Sequence, residues 1–278
     1  MIPDIPLLAI LPVNKLLTHE THDQQRIPQL IEHIRESGVL RNPPVVTPLR
    51  DRTGRFMILD GAHRVLALDE LRLPHILAQV VEPDDPGLDL NPWNHVVWEL
   101  DPNDFMEGFR NIVDLKIIPY SDQSSFNEPL NKQPLALIHL ANHETYTAFP
   151  PTYDLKTRLA FLHTIVDSYK DRANLDRTSL QNIDALSTLY PHLSGLVMLP
   201  RFRIEEILCI VGEGYLLPAG STHFTISPRA LHVNYPIDEL ASDKSLEEKD
   251  NNLQKWLQER IAKKGVRHYA EATILFDE

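Results

Sequence analysis

The stretch from Phe56 to Leu71 changes its hydrophobic period at a single glycine. Phe56-Met57-Ile58-Leu59 is a short apolar run of strand type, while Val65, Leu66, Leu68 and Leu71 recur at helical spacing. Between them lies Asp60-Gly61-Ala62-His63-Arg64, where the glycine permits an unusual turn from strand to helix. A helix N-terminus offers unpaired N–H groups and the positive end of a dipole, which favour anions. His63 and Arg64 add charge-assisted donors where phosphate oxygens would sit. A plainer reading is that Asp60 caps the helix while His63 and Arg64 face solvent. The chain contains no Walker A sequence, and Gly212-Glu213-Gly214 lacks the further glycine and lysine of a phosphate loop.

Around this turn the first eighty-odd residues read as an α/β unit. Leu7 to Leu11 is a strand, and Ile27, Leu30, Ile31 and Ile34 mark a helix over Arg26 to Glu36, stopped by Gly38. Val45-Val46-Thr47 and Phe56 to Leu59 form a hairpin about Asp51-Arg52-Thr53-Gly54, and Ile76 to Val81 is a returning strand. Glu82 to Pro92 is acidic and proline-rich and reads as a boundary or a crossing loop. Beyond it, strands are expected at Val113 to Pro119, Leu135 to Leu140, Leu193 to Leu199, Leu216 to Ile226 and Ala230 to Tyr235. Helices are expected at Leu155 to Tyr169, Ile204 to Val211 and Ser245 to Lys264, the last burying Leu253, Trp256, Leu257 and Ile261. The fold class is α+β in two lobes, residues 1–85 and 86–278, as a length of 278 residues favours.

Charge narrows the partners. Thirty-nine acidic against twenty-seven basic side chains leave −12, which opposes sequence-independent attachment to nucleic acid or an anionic membrane. One cysteine, Cys209, excludes an internal disulfide and a multi-thiolate zinc site; within Ile207-Leu208-Cys209-Ile210-Val211 it reads as a buried small hydrophobe. The apolar stretch Ile5 to Leu11 has no basic region before it and is too short to span a bilayer, so a cytoplasmic location is expected. Of the thirteen histidines, His19 and His22 have the wrong spacing for one helical face, and His75, His139, His163 and His192 read as ordinary structure.

The order strand, His19-Glu20, helix, Asn42-Pro43-Pro44-Val45-Val46, hairpin, Asp60-Gly61-Ala62-His63-Arg64, helix resembles the ParB/sulfiredoxin superfamily, in which a Gly-x-His-Arg-type turn grips nucleotide phosphates. Within it the chain is similar to the free L-serine kinases, including those of siderophore pathways. The matching positions are Glu20, Asp60, Trp93, the segment Pro218-Ala219-Gly220-Ser221-Thr222, and the ending Tyr269 to Glu278. Two positions depart from that branch. Ala62 replaces the first of two histidines, and His223 stands after Thr222 where Arg or Lys is usual, which makes an anion contact there weaker and pH-sensitive.

The resemblance implies phosphoryl transfer from ATP, or from ADP in some relatives, to free L-serine, giving O-phospho-L-serine, with Mg²⁺ carried on the nucleotide. It implies that Glu20 accepts the hydroxyl proton; on composition alone Glu20 is a solvated loop carboxylate. Asp60 either caps its helix or holds the substrate hydroxyl or magnesium. Gly61, Ala62, His63 and Arg64 would bind the donor's phosphates, Arg64 as a permanent charge. Trp93 is either core packing or a wall of the amino-acid pocket. Thr222, His223 and Arg229 would pair with the substrate carboxylate, joined by the amides of Gly220 and Ser221, although Arg229 reads equally as a surface residue at a strand edge.

Rival readings are a ParB-like DNA-binding regulator and a non-catalytic nucleotide or metabolite sensor. The first calls for a basic helix-turn-helix after the first lobe, where the chain instead carries Glu82, Asp84, Asp85, Asp89, Glu99, Asp101 and Asp104. Sulfiredoxin-type chemistry needs a cysteine beside the His-Arg pair, where Ala62 stands.

Overall fold

The computed structural model describes residues 5–22, 27–121 and 132–269. The chain divides into two compact units, one of Met1–Leu17, Asp23–Glu82 and Ser227–Glu278, the other of Thr18–His22 and Pro83–Ile226.

The first unit begins with β1 (Leu8–Pro12), β2 (Leu16–Leu17), α1 (Ile27–Ser37), β3 (Val39–Leu40), β4 (Val45–Pro48), β5 (Phe56–Asp60), α2 (Ala62–Glu70) and β6 (His75–Val80). Its five-stranded sheet runs β1-β6-β4-β5-β2, with β1 antiparallel to β6 and β4 parallel to it. The central strands are apolar on both faces: Val45, Val46, Met57, Ile76 and Leu77 are fully buried, each such side chain contributing about 1.5–3 kcal/mol. Helix α1 buries Ile27 and Ile34 and ends where Gly38 donates to the Ile34 carbonyl at 3.0 Å, as its spacing predicts.

The second unit holds β7 (Leu88–Pro92), β8 (Asn94–Trp98), α3 (Pro102–Arg110), β9 (Lys116–Pro119), β10 (Ala136–Leu140), β11 (Thr145–Phe149), α4 (Leu155–Lys170), β12 (Asn174–Thr178), α5 (Ile183–Leu189), β13 (Leu193–Met198), α6 (Ile204–Gly212) and β14 (Thr222–Ile226). Six strands make one antiparallel sheet, β12-β8-β13-β10-β11-β9, and β14 pairs separately with β7. Helix α4 buries Leu159, Leu162 and Val166 as expected, together with Tyr169, which meets Phe105 of α3 edge to ring and Phe109 at a tilt of 39°. Part of the acidic run after the boundary serves α3: Asp101 caps it, accepting from the Asn103 amide at 2.8 Å, and Asp104 sits in its first turn.

The chain then returns to the first unit as β15 (Tyr235–Pro236), α7 (Ile237–Ala241) and α8 (Leu246–Ala262). Residues 227–278, expected in the second lobe, fall in the first because Leu240, Leu253, Trp256 and Leu257 complete its core. A hydrophobic stripe shows that a helix must bury one face, not against what.

Three further expectations are corrected. Ala230 to Val233 is not a strand: the Ala230 amide donates to Gln79 Oε1 and the His232 amide to Asn42 Oδ1, both at 2.8 Å, while His232 and Asn234 have φ of 52° and 54°. The strand expected from Val113 begins at Lys116, after Asp114 at φ 65°. Cys209 is exposed, because α6 turns Ile207, Ile210 and Val211 inward and leaves position 209 outside.

Candidate active site

In the first unit, β5 delivers Asp60 to the end of a buried strand and Gly61 turns the chain at φ 89° into α2. A Cβ at Gly61 would lie 2.9 Å from Pro44 Cβ and 2.6 Å from an Arg64 guanidinium nitrogen, so only glycine fits there. The Asp60 carboxylate is held by two guanidiniums, Arg64 at 2.7 Å and Arg229. Burial pushes its carboxyl upward, but the charges of Arg64 and Arg229 and their hydrogen bonds outweigh this and leave it below the usual carboxylate range. Arg64 Nε is buried and, among the described residues, has no hydrogen-bond partner. The expected turn is therefore present, with a glycine N-cap, the α2 N-terminus and Arg64 with donor capacity to spare.

Arg229 stands apart from its expected neighbours. Sequence reasoning grouped it with Thr222 and His223, which lie in the second unit, whereas it pairs with Asp60 in the first. Only Ser227 and Pro228 lie between the end of β14 at Ile226 and Arg229, and the chain changes unit within that span.

In the second unit, Glu20 forms a parallel bridge with Leu217, which sets its side chain over the Pro218–Thr222 segment. Glu20 Oε2 accepts from the Gly220 amide at 2.7 Å; Oε1 accepts from the Thr222 amide at 2.7 Å and from its hydroxyl at 2.5 Å. A carboxylate has about four lone-pair directions, so one remains for a further donor. The Thr222 hydroxyl has one proton, given to Glu20, so His19 Nε2, 2.8 Å from the Thr222 oxygen, carries the proton in that contact. The Gly220 amide, expected to face the substrate carboxylate, is thus occupied by Glu20. The Ser221 hydroxyl donates to the Pro218 carbonyl at 2.7 Å and is buried, which tightens the turn itself.

Trp93 follows β7, and its amide donates to the Ser221 carbonyl at 3.2 Å. Its indole stacks on the His223 imidazole, centroids 4.0 Å apart and planes 18° from parallel. The β7–β14 register, Thr222 opposite Pro92 and His223 opposite Asn91, brings the two together. His19 packs edge-on against Phe224 at 5.2 Å. The second unit therefore gathers Glu20, Trp93, Ser221, Thr222 and His223 with His19, which the sequence sets next to Glu20, and sequence reasoning missed His95 and Arg177 beside them. The Arg177 side chain lies against the Cα of Gly220, where a Cβ would collide with it. The one available signal was a histidine inside the apolar strand His95-Val96-Val97. Among the described residues, no group of three or more His, Cys, Asp or Glu is arranged to hold a metal ion.

The chain thus carries a glycine strand-to-helix turn in one unit and a glutamate clamped by backbone amides in the other. Residues 4–88 match the family model of the ParB N-terminal domain. Over 98% of its length the chain is 25% identical to the ATP-dependent L-serine kinase SbnI of Staphylococcus aureus, covering 97% of that protein. Over 85 residues it is 33% identical to the ATP-dependent L-serine kinase of Staphylothermus marinus, 31% of this chain and 33% of that one. The solved structure of C-terminally truncated SbnI superposes with a TM-score of 0.72 at 24% identity, covering 92% of this chain and 96% of that one. A free serine kinase in complex with AMP superposes at 0.69 with 14% identity, covering 86% and 98%. These superpositions show a shared mixed α/β fold, whose first part in this chain matches the ParB N-terminal domain.

Proposed function

We propose that this chain is a kinase that transfers the γ-phosphoryl group of ATP to free L-serine and forms O-phospho-L-serine. The observation that carries the reading is the fixing of Glu20 by the Gly220 and Thr222 amides and the Thr222 hydroxyl, with one acceptor direction left over. Near-full-length similarity to a kinase named for this reaction supports it.

In-line transfer needs the donor phosphates neutralised, the acceptor oriented and its proton removed. The backbone at Gly61 and Ala62, with His63 and Arg64, receives the phosphates at the α2 N-terminus. Asp60 keeps Arg64 oriented by charge, and Arg229 shares that work. Glu20 takes the proton from the serine hydroxyl as its oxygen bonds to the γ-phosphorus; the bond to the β–γ bridging oxygen breaks and ADP leaves. Trp93, Thr222 and His223 line the amino-acid side, with His223 presenting an imidazole where a permanent cation would bind a carboxylate more strongly. Mg²⁺ would be held chiefly by phosphate oxygens and water, and would supply charge neutralisation on the phosphates. A cytoplasmic location, where ATP is abundant, belongs to the same reading.

The test is to incubate the purified chain with Mg²⁺, ATP or ADP and a set of hydroxy amino acids, and to read products by mass spectrometry. O-phosphoserine with ATP, formed far more slowly by Glu20→Gln, is the expected result. Absence of product with every donor and acceptor would overturn the reading.

A further inference from the structure

His95 is the second residue of β8 and is fully buried, yet both of its ring nitrogens are engaged. Nε2 is 2.9 Å from the Gly220 carbonyl oxygen and Nδ1 is 2.9 Å from the Tyr169 hydroxyl. A carbonyl only accepts, so Nε2 carries the ring's proton; Nδ1 of the neutral ring then accepts, and the Tyr169 hydroxyl donates. Burial first, and then the nearby charge of Arg177, push the imidazole down to about 4 against the opposing pull of the Gly220 carbonyl, so the ring is neutral near pH 7. The direction of the chain is therefore fixed: Tyr169 to His95 to the Gly220 carbonyl.

The carbonyl that His95 holds belongs to the peptide between Gly220 and Ser221. The two amides that grip Glu20, those of Gly220 and Thr222, belong to the peptides immediately before and after it. Gly220 sits at φ 75°, in a region that glycine enters and leaves more freely than other residues, so nothing in its own side chain keeps those amides in step. The β12–β8 register places Arg177 opposite His95, and its side chain covers the Cα of Gly220. One face of the sheet thus supports the turn while the turn's amides point to the carboxylate.

We infer that His95 is a positioning residue for phosphoryl transfer, pinning the middle peptide of the Gly220–Thr222 turn so that its two flanking amides hold Glu20 in place. The inference rests on the assignment of Glu20 as the proton acceptor. Its role is geometric: His95 reaches Glu20 only through the Gly220 backbone, and no proton passes along it.

The test measures kcat and KM for ATP and for serine in His95→Phe, His95→Gln, Tyr169→Phe and Glu20→Gln of the full chain. His95→Phe keeps the ring volume and removes the donor, and should lower kcat about tenfold, the worth of one hydrogen bond, with KM for ATP unchanged within about twofold. His95→Gln retains a donor for the Gly220 carbonyl and should recover most of the loss. Tyr169→Phe removes one hydroxyl, leaves Nδ1 without its donor, and should lower kcat by about threefold or more; it decides the matter if His95→Phe does not fold. A folded His95→Phe with wild-type kcat, or a Tyr169→Phe with wild-type kcat where His95→Phe does not fold, overturns the inference, as does a loss that His95→Gln leaves unrepaired. An inactive Glu20→Gln beside those results leaves the assignment of Glu20 standing; an active Glu20→Gln overturns that assignment, and this inference with it.

Discussion

The Gly220 amide donates to Glu20 Oε2 at 2.7 Å across 200 positions of sequence. This contact ties a residue just after β2 to a turn late in the chain, and most of the expected behaviour of the second unit follows from it.

Glu20→Gln should lower kcat by about 10²–10⁴-fold, the usual worth of a positioned general base. The amide keeps an oxygen for one backbone donor, so the variant should remain folded by circular dichroism and keep its thermal stabilisation by ATP. Activity within about threefold of wild type would remove the proton-accepting role.

Arg64→Ala should weaken the response to nucleotide. At a concentration a hundred times its Kd, ATP stabilises a protein that binds it by about 2.7 kcal/mol, read as a rise in melting temperature. Asp60 retains Arg229, so the variant should still fold. An unchanged ATP-induced shift would place the phosphates elsewhere.

Asp60 makes stability depend on acid. Its folded carboxyl lies below the ordinary value of 3.8, so its contribution is fully present above that pH and is lost as pH falls through the folded value. With the side chain 41% exposed, solvent reduces the effect. Asp60→Asn should therefore lose less stability than wild type when unfolding by denaturant is compared at pH 5 and below pH 4. Equal losses would mean that the two arginines do not govern this carboxylate.

Gly220→Ala should be destabilised by about 1–2 kcal/mol from its left-handed backbone alone, with a further cost from the collision with Arg177. Combining it with Arg177→Ala should recover the second part only, which a double-mutant cycle by urea unfolding would read as coupling. Strict additivity would show that the arginine yields without cost.

Lys249 is almost fully buried, with Nζ 2.6 Å from the Leu240 carbonyl and 3.0 Å from His75 Nδ1. Burial, then the Lys249 charge, hold His75 below its ordinary 6.5. That stability is present above 6.5 and falls as pH drops through the folded value. Lys249→Met should cost about 1–3 kcal/mol at pH 7.5, because the Leu240 carbonyl loses its donor. The further decline between pH 7.5 and 5.5 should shrink, since one of the two causes acting on His75 is gone. An undiminished decline would assign the acid sensitivity to burial alone.

Local pattern determined much of the chain. The change of period at Gly61, the stripe Ile27-Leu30-Ile31-Ile34 with its glycine stop, and the spacing of Leu159, Leu162 and Val166 each follow from short-range sterics and the helical repeat, and each stands where the sequence predicts it. What tertiary structure alone decided are the partners across long separations. Leu253 and Trp256 fill the core of the first unit, Arg229 pairs with Asp60, and His95 sits beneath a glycine 125 positions away. Periodicity reports which face a residue takes relative to its neighbours, whereas a hydrogen bond or ion pair between distant segments depends on where the whole chain returns, which no local window contains.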